Sequence, residues 1–160
     1  MSVRDRWNAQ RDALAVEVLR GGGCLRLHVH GESMLPTLWP GDFAEIEDCS
    51  LHDVGAGDLV LATRDGRLYL HRLMTHAGDR TFVTRGDSMP GADPVFESDA
   101  LLGKLVSASR AGTPVSVALR PWSRVLGLLF CYCSFARRVA LRLRKSTDSQ
   151  KLHGIDLETA

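Results

Sequence analysis

Between Cys24 and Ser109 the chain is divided into short runs of apolar and β-branched residues, and Gly, Asp or Pro residues separate the runs. This pattern is typical of strands that reverse direction at tight turns. The predicted strands are Leu25–His30, Asp42–Glu47, Asp58–Ala62, Leu68–Met74, Thr81–Thr84 and Leu105–Ser107. The segment therefore predicts a compact β domain, which makes the expected fold class mainly β.

One turn in this segment has a specific signature. The dipeptide Asp65-Gly66 lies between the apolar runs Leu59-Val60-Leu61-Ala62 and Leu68-Tyr69-Leu70. Asp-Gly favours the positive φ angles that a two-residue type I′ turn requires. The two flanking runs are therefore predicted to pair as a β-hairpin.

A short amphipathic helix is predicted before the β domain. From Trp7 to Leu19 the spacing of Trp7, Leu14 and Val18, and of Ala15 and Leu19, suits one face of a helix. Three consecutive glycines then end the helix, because glycine readily adopts the conformation that follows a helix C-terminus.

A longer helix is predicted at the other end of the chain. Pro121 suits the first turn of a helix, and no further proline occurs before Lys145. The later half of this segment places apolar side chains on one side and basic ones on the other. Seven cations and no acid lie in residues 120–145, so the net charge of +1 leaves −6 for the rest of the chain. These cations are Arg120, Arg124, Arg137, Arg138, Arg142, Arg144 and Lys145.

The resulting organisation has four parts. They are the N-terminal helix (1–22), the β domain (23–118), the basic amphipathic helix (119–145) and a polar tail expected to be disordered (146–160). The basic helix has two open interpretations. It binds an anionic membrane surface peripherally, or it covers the core or a second subunit. The oligomeric state stays open.

Composition excludes several classes of protein. A chain of 160 residues accommodates about one domain, and 20 Lys and Arg against 19 Asp and Glu give no overall basic field for nucleic acid. No apolar run reaches the roughly 18 residues of a membrane-spanning helix. The four cysteines, Cys24, Cys49, Cys131 and Cys133, form no C-x-x-C pair, and no secretory signal is recognisable. Free thiols and a cytoplasmic location are expected.

The most specific stretch of sequence is Gly31-x-Ser33-Met34-x-Pro36-Thr37-Leu38-x-x-Gly41-Asp42. A serine at a turn normally caps backbone N–H groups, so Ser33 alone indicates little. The whole stretch, however, resembles the nucleophile box of type I signal peptidases and their relatives, which include LexA-type self-cleaving proteins. The resemblance implies that Ser33 is the nucleophile, that its backbone N–H binds the oxyanion, and that Met34 and Leu35 contact the substrate.

Further stretches resemble the same family in the same order. Gly57-Asp58-Leu59-Val60 resembles the next strand, and Leu70-His71-Arg72-Leu73 lies where one branch of the family has a histidine base. Thr84-Arg85-Gly86-Asp87-Ser88-Met89-Pro90-Gly91-Ala92-Asp93 resembles the closing box. By this resemblance His71 is the general base and Asp93 the acidic third member of a Ser-His-Asp triad.

Three features depart from the family pattern. Gly31 stands where signal peptidases usually carry a serine whose hydroxyl helps to bind the oxyanion, although LexA-like relatives also have glycine there. The N-terminal membrane anchor is missing, and Ser88-Met89-Pro90 replaces the Asn-Asn of the endoplasmic reticulum type. We interpret this last difference as loop variation.

Two functions remain open from the sequence. The first is a serine endopeptidase that resembles signal peptidases and cleaves a precursor or leader peptide. The second is a catalytically weak or inactive peptidase-like scaffold or regulatory protein that binds a partner. No cofactor, metal or nucleic acid is expected. His28 and His30 share one strand face, but two histidines fall short of the three or four ligands of a zinc site.

Overall fold

The chain is described by a computed structural model for residues 3–117, with side chains from residue 10 onward. One helix, α1 (Val3–Arg20), precedes eight strands that form a single antiparallel sheet. The strands are β1 (Cys24–His28), β2 (Phe43–Glu47), β3 (Leu59–Arg64), β4 (Arg67–Gly78), β5 (Thr81–Arg85), β6 (Phe96–Glu97), β7 (Leu101–Arg110) and β8 (Thr113–Pro114). Short 3-10 helices span Leu51–Asp53 and Ser98–Ala100. The predicted mainly β class is confirmed.

The strand order across the sheet is β1-β2-β7-β3-β4-β5-β6, with β8 paired to β7. The most apolar strand, β3, lies at the centre of this order. Its residues alternate between the two faces, so Leu59 and Leu61 pack in one core cluster while Val60 and Ala62 pack in another. A continuous apolar run is what a strand buried on both faces requires.

The predicted hairpin is confirmed. Asp65 and Gly66 have φ angles of 51° and 71°, and Arg64 pairs with Arg67 across the turn. Positive φ at both central residues is the type I′ condition. This turn pairs β3 with β4 and thereby decides the register of the strand that carries His71.

Several strands are longer than the sequence pattern predicts. The largest difference is β7, which spans Leu101–Arg110, whereas the sequence pattern predicted only Leu105–Ser107. A Cβ atom at Gly103 would lie only 2.4 Å from the carbonyl oxygen of Glu47. Glycine therefore permits close approach of β2 inside the strand here. The two-residue strands β6 and β8 were too short to predict.

The N-terminal helix is confirmed, but its predicted buried face is only half right. Ala15 and Leu19 are 4% and 0% exposed, whereas Leu14 and Val18 are 62% and 43% exposed. Leu19 belongs to the core cluster that also contains Leu61, so the last turns of α1 dock on the sheet. One-dimensional spacing could not tell which of two adjacent helical stripes this docking would cover.

The predicted basic helix at 119–145 and the tail at 146–160 lie outside the described residues. Within residues 3–117 no helix has the length and apolar character needed to cross a membrane.

Candidate active site

Ser33 lies in a loop whose two ends are tied together. The backbone N–H of Val29 donates to the carbonyl of Asp42 at 2.8 Å, and Gly41 N–H donates to the carbonyl of Val29 at 2.8 Å. These bonds extend the pairing of β1 with β2 to the base of the loop. The loop is further anchored because its residues Met34 and Leu38 are buried in the first core cluster.

The segment after β5 closes over this loop. Ser88 N–H donates to the Ser33 carbonyl at 2.9 Å, and the Ser88 hydroxyl donates to the Glu32 carbonyl at 2.8 Å. A Cβ atom at Gly86 would lie 2.6 Å from the Ser33 carbonyl oxygen, so only glycine allows this approach. The nucleophile candidate is therefore held by backbone contacts on two sides.

Three side chains predicted from the sequence lie together. The His71 Nε2 atom is 2.9 Å from Ser33 Oγ, and His71 Nδ1 is 2.6 Å from Asp93 Oδ2. His71 comes from β4, whereas Asp93 comes from the segment between β5 and β6. An ionised carboxylate only accepts hydrogen bonds, so Nδ1 carries the proton and Nε2 is free to accept the serine proton.

Asp93 is held by more than the imidazole. Its Oδ2 atom also accepts the Thr84 hydroxyl at 2.6 Å, and its backbone N–H donates to the Thr84 carbonyl at 2.8 Å. Burial raises the pKa of Asp93, but the hydrogen bonds from His71 and Thr84 and the charge of Arg64 outweigh it. The net result is a pKa below the usual aspartate value. Asp93 is thus a stable anion at neutral pH.

A second buried network lies beside this one. Arg72, the next residue of β4, donates to both carboxylate oxygens of Asp87 at 2.8 Å and to the carbonyl of Gly57 at 2.7 Å. Thr37 in the nucleophile loop donates its hydroxyl to Asp87 at 2.5 Å. The network therefore links the nucleophile loop, β4 and the closing segment without using Ser33 or His71.

A cavity of about 1250 Å³ opens at Ser33 and His71. Its walls come from α1, β1 and the first half of β4, and leucines such as Leu25, Leu27 and Leu68 make them largely apolar. The outer edge of β1 lies at the end of the sheet, and β5 pairs with β4 only from Arg72 onward. Within the described residues, two unpaired strand edges therefore border this cavity.

The remaining predicted contacts differ in their placement. In the described part of the chain no acceptor takes the Ser33 N–H, which leaves this donor available for an oxyanion. Met34 lines the cavity, but Leu35 is 0% exposed and does not line it. The Leu35 side chain is therefore not placed to touch a substrate there. A Cβ atom at Gly31 would lie 3.9 Å from Ser33 Oγ, its nearest neighbour.

Two further histidines line the same cavity. His28 and His30 are both exposed on β1 and its continuation, in agreement with their interpretation as strand-face residues. The pKa of His30 lies below the usual histidine value because partial burial and the charges of His28 and Arg11 disfavour its protonated form.

A cysteine nucleophile has no support from the described residues. Burial raises the pKa of Cys49 to about 11, so this thiol stays protonated at neutral pH. The described cysteines, Cys24 and Cys49, form no disulfide, and neither of them lines the cavity that holds His71.

Sequence reasoning missed the residues that hold Asp93 and the segments around Ser33 in place. Ser88 was interpreted as loop variation, yet it is 3% exposed and contacts the backbone on both sides of the Glu32–Ser33 peptide bond. Thr84 and Arg72 stood inside the matching stretches, but no role was assigned to them. Their roles depend on the carboxylates beside them in the fold, Asp93 for Thr84 and Asp87 for Arg72.

Comparisons of this chain with protein-family models and with curated proteins found no match. The assignment of a function therefore depends on the geometry and motifs of this chain alone.

Proposed function

We propose that this protein is a serine endopeptidase. The observation that carries the proposal is the chain of hydrogen bonds from Ser33 Oγ to His71 Nε2, at 2.9 Å, and from His71 Nδ1 to Asp93, at 2.6 Å. A nucleophile next to a base that is itself oriented by a third group is the arrangement of covalent acyl-transfer enzymes. The collinear stretches that resemble type I signal peptidases support the same reaction.

The reaction proceeds in two halves. Ser33 Oγ attacks the carbonyl carbon of the scissile bond while His71 Nε2 takes the hydroxyl proton, and His71 then gives this proton to the leaving amine. Water next gives a proton to His71 and attacks the acyl carbon, and His71 returns this proton to Ser33 Oγ as the bond to the carboxylic acid product breaks. Asp93 stabilises the imidazolium in both halves without taking its proton.

The oxyanion is bound chiefly by backbone. The unpaired Ser33 N–H is the donor that the described residues supply, and Gly31 adds no hydroxyl beside it. Loss of one oxyanion donor costs about 10²- to 10³-fold in rate, so a slow peptidase is expected. Slow turnover fits an enzyme that cuts one precursor a single time better than a digestive enzyme.

The substrate is an extended peptide, with a precursor or leader peptide as the favoured class. The unpaired outer edges of β1 and of residues 67–71 border the cavity, so an added strand can bond to backbone there. The resemblance to signal peptidases implies small residues just before the cut. Alternate side chains of such a strand would enter the apolar cavity that Met34 lines.

The basic segment 120–145 supplies a second proposal about location, namely reversible contact with an anionic membrane surface. Each cation near such a surface contributes about 1 kcal/mol, so seven cations suffice for measurable binding. Replacing Arg137, Arg138, Arg142 and Arg144 by Gln should abolish sedimentation with anionic liposomes. Equal sedimentation of the variant and the parent protein would argue for a helix that covers protein instead.

Reaction with a fluorophosphonate probe tests the peptidase proposal. The full chain should form one covalent adduct at Ser33, and the Ser33→Ala variant should form none. A peptide library should then reveal cleavage that depends on Ser33. If the folded protein neither reacts with the probe nor cleaves any peptide, the scaffold interpretation, motivated by Gly31, replaces the enzyme.

A further inference from the structure

One peptide bond of the nucleophile loop joins the proposed oxyanion donor to a buried hydrogen bond. It is the bond between Glu32 and Ser33, whose carbonyl belongs to Glu32 and whose N–H belongs to Ser33. A trans peptide unit is planar, so its C=O and N–H point in opposite directions. Whatever fixes the direction of the Glu32 carbonyl therefore also fixes the direction of the Ser33 N–H.

The hydroxyl of Ser88 fixes this carbonyl. Its Oγ atom donates to the Glu32 carbonyl oxygen at 2.8 Å, the most common length for a hydroxyl donor. The Leu35 N–H donates to the same oxygen at 3.2 Å and closes a turn around Ser33. Ser88 is 3% exposed, so water has little access to replace its hydrogen bond. The shorter of these two bonds to the carbonyl thus comes from the segment that closes over the loop.

The turn that carries Ser88 is attached independently of the hydroxyl. The backbone N–H of Ser88 donates to the Ser33 carbonyl at 2.9 Å. The preceding residue, Asp87, accepts hydrogen bonds from Arg72 of β4 and from Thr37 of the nucleophile loop. The hydroxyl can therefore be removed while the turn keeps its other attachments.

We propose that Ser88 is a positioning residue for the oxyanion site and acts through the Glu32–Ser33 peptide bond. Its hydroxyl holds the peptide plane so that the Ser33 N–H points to the place where the oxyanion forms. It also polarises that N–H, because hydrogen bonds in a chain strengthen one another. A donor that is aimed before the reaction needs no reorganisation when charge develops. The role rests on the proposed function, since it affects a rate only if Ser33 attacks a carbonyl.

Gly31 makes this contact more important. Having no side chain, it adds no hydroxyl next to the Ser33 N–H. The described residues therefore offer no neighbouring side-chain hydroxyl at that position to compensate for a misdirected N–H. The direction of a single backbone donor then has a direct effect on the rate.

Fluorophosphonate labelling of the full chain tests this role, because the phosphoryl oxygen occupies the oxyanion site as the probe reacts. Ser88→Ala should lower the rate constant of labelling about tenfold, less than the 10²- to 10³-fold cost of losing an oxyanion donor outright. The pH of half-maximal labelling, which reports proton loss from the base, should match that of the parent. The matched control is Ser50→Ala, which removes a hydroxyl that donates to Asp53 outside the cavity and should label as the parent does.

Ser88→Cys provides a second variant, because it has nearly the same shape and keeps a weak S–H donor. Its labelling rate should lie between those of the parent and Ser88→Ala. Thermal unfolding gives the folded fraction, so that rates are compared per folded molecule. Equal rates of the parent and both Ser88 variants would overturn the role. So would a slower rate with a shifted pH of half-maximal labelling, because the effect would then lie on His71.

The same experiment separates this role from the proposed function. A parent protein that labels at Ser33 at the same rate as the Ser88 variants overturns the positioning role and leaves the peptidase proposal intact. A folded parent that does not label overturns the peptidase proposal, and the positioning role with it.

Discussion

Adjacent residues of β4 hold two carboxylates of one loop, and the two pairs differ in the chemistry of their cationic partner. His71 contacts Asp93, and Arg72 contacts Asp87. A histidine gains and loses a proton near neutral pH, whereas an arginine stays charged. The His71–Asp93 pair therefore suits proton transfer, whereas the Arg72–Asp87 pair suits a permanent ionic link between β4 and the loop that follows β5.

The strand explains how neighbours in sequence acquire such different surroundings. Successive side chains of a strand point to opposite faces, so His71 faces the cavity and Arg72 faces the interior beneath the nucleophile loop. The loop that follows β5 then supplies a carboxylate to each face. We therefore expect substitutions in the His71–Asp93 pair to remove the proposed activity, and substitutions in the Arg72–Asp87 pair to lower the free energy of unfolding.

The largest effect is expected from Asp93→Asn. An amide favours the wrong imidazole tautomer, so the rate of peptide cleavage and of fluorophosphonate labelling should fall about 10⁴-fold. The chemical-denaturation midpoint should change much less, because the Asn side chain still accepts the Thr84 hydroxyl bond. Labelling at the parental rate would show that Asp93 does not orient the base.

Arg72→Met should produce the converse result. It leaves the buried Asp87 carboxylate without its guanidinium, and loss of one partner from a buried pair costs about 3–5 kcal/mol in the free energy of unfolding. Urea denaturation measures this loss. Arg72→Met combined with Asp87→Leu should recover part of it, because no uncompensated charge remains. Parental stability of the single variant would contradict the attachment role.

Gly31→Ser tests whether the oxyanion site limits the rate. A Cβ atom here meets nothing closer than Ser33 Oγ at 3.9 Å, so the serine fits. If the new hydroxyl donates to the oxyanion, the rate should rise, by up to about 10²-fold. Gly31→Ala is the matched control, since it adds the Cβ without the donor. An equal response of the two variants would exclude a missing hydroxyl as the cause of slow turnover.

The smallest effect concerns stability in acid. The pKa of Asp93 is lower in the folded protein than its usual value of about 3.9. As the pH falls, the Asp93 carboxylate is therefore protonated in the unfolded chain before it is protonated in the folded protein. The contribution of Asp93 to stability is therefore complete above that value and is lost as pH falls through the folded pKa. Denaturation between about pH 5 and pH 2 should show a shallower decline for Asp93→Asn than for the parent. Parallel curves would mean that Asp93 contributes no such linkage.

Local signals predicted the elements that depend on local chemistry. The hairpin at Asp65-Gly66 followed from the φ angles of two residues, and the central strand β3 followed from its apolar run. The first residues of β7 were not predicted, and Gly103 among them is glycine because β2, more than fifty residues earlier in the chain, approaches its backbone closely. The face of α1 was mistaken for the same reason, since its partner lies in the sheet.

The candidate site divides in a similar way. Ser33, His71 and Asp93 were identified from collinear stretches that resemble a family of peptidases, and the structure brings these three side chains together. Ser88 and Arg72 were not identified, because their contacts join segments that are distant in sequence. A hydroxyl or guanidinium acquires its role only when folding brings a particular carbonyl or carboxylate beside it.

By itself the sequence determined the β class, the main turn and the residue types capable of acyl transfer, because strand alternation and turn preferences act over a few residues. Only the tertiary structure decided which nitrogen of His71 meets Ser33, which carboxylate meets the other nitrogen, and that His28 and His30 face each other at 3.4 Å. Distances of this kind depend on strand register and on loops that close over one another. Both are outcomes of packing between distant segments, which no local pattern specifies.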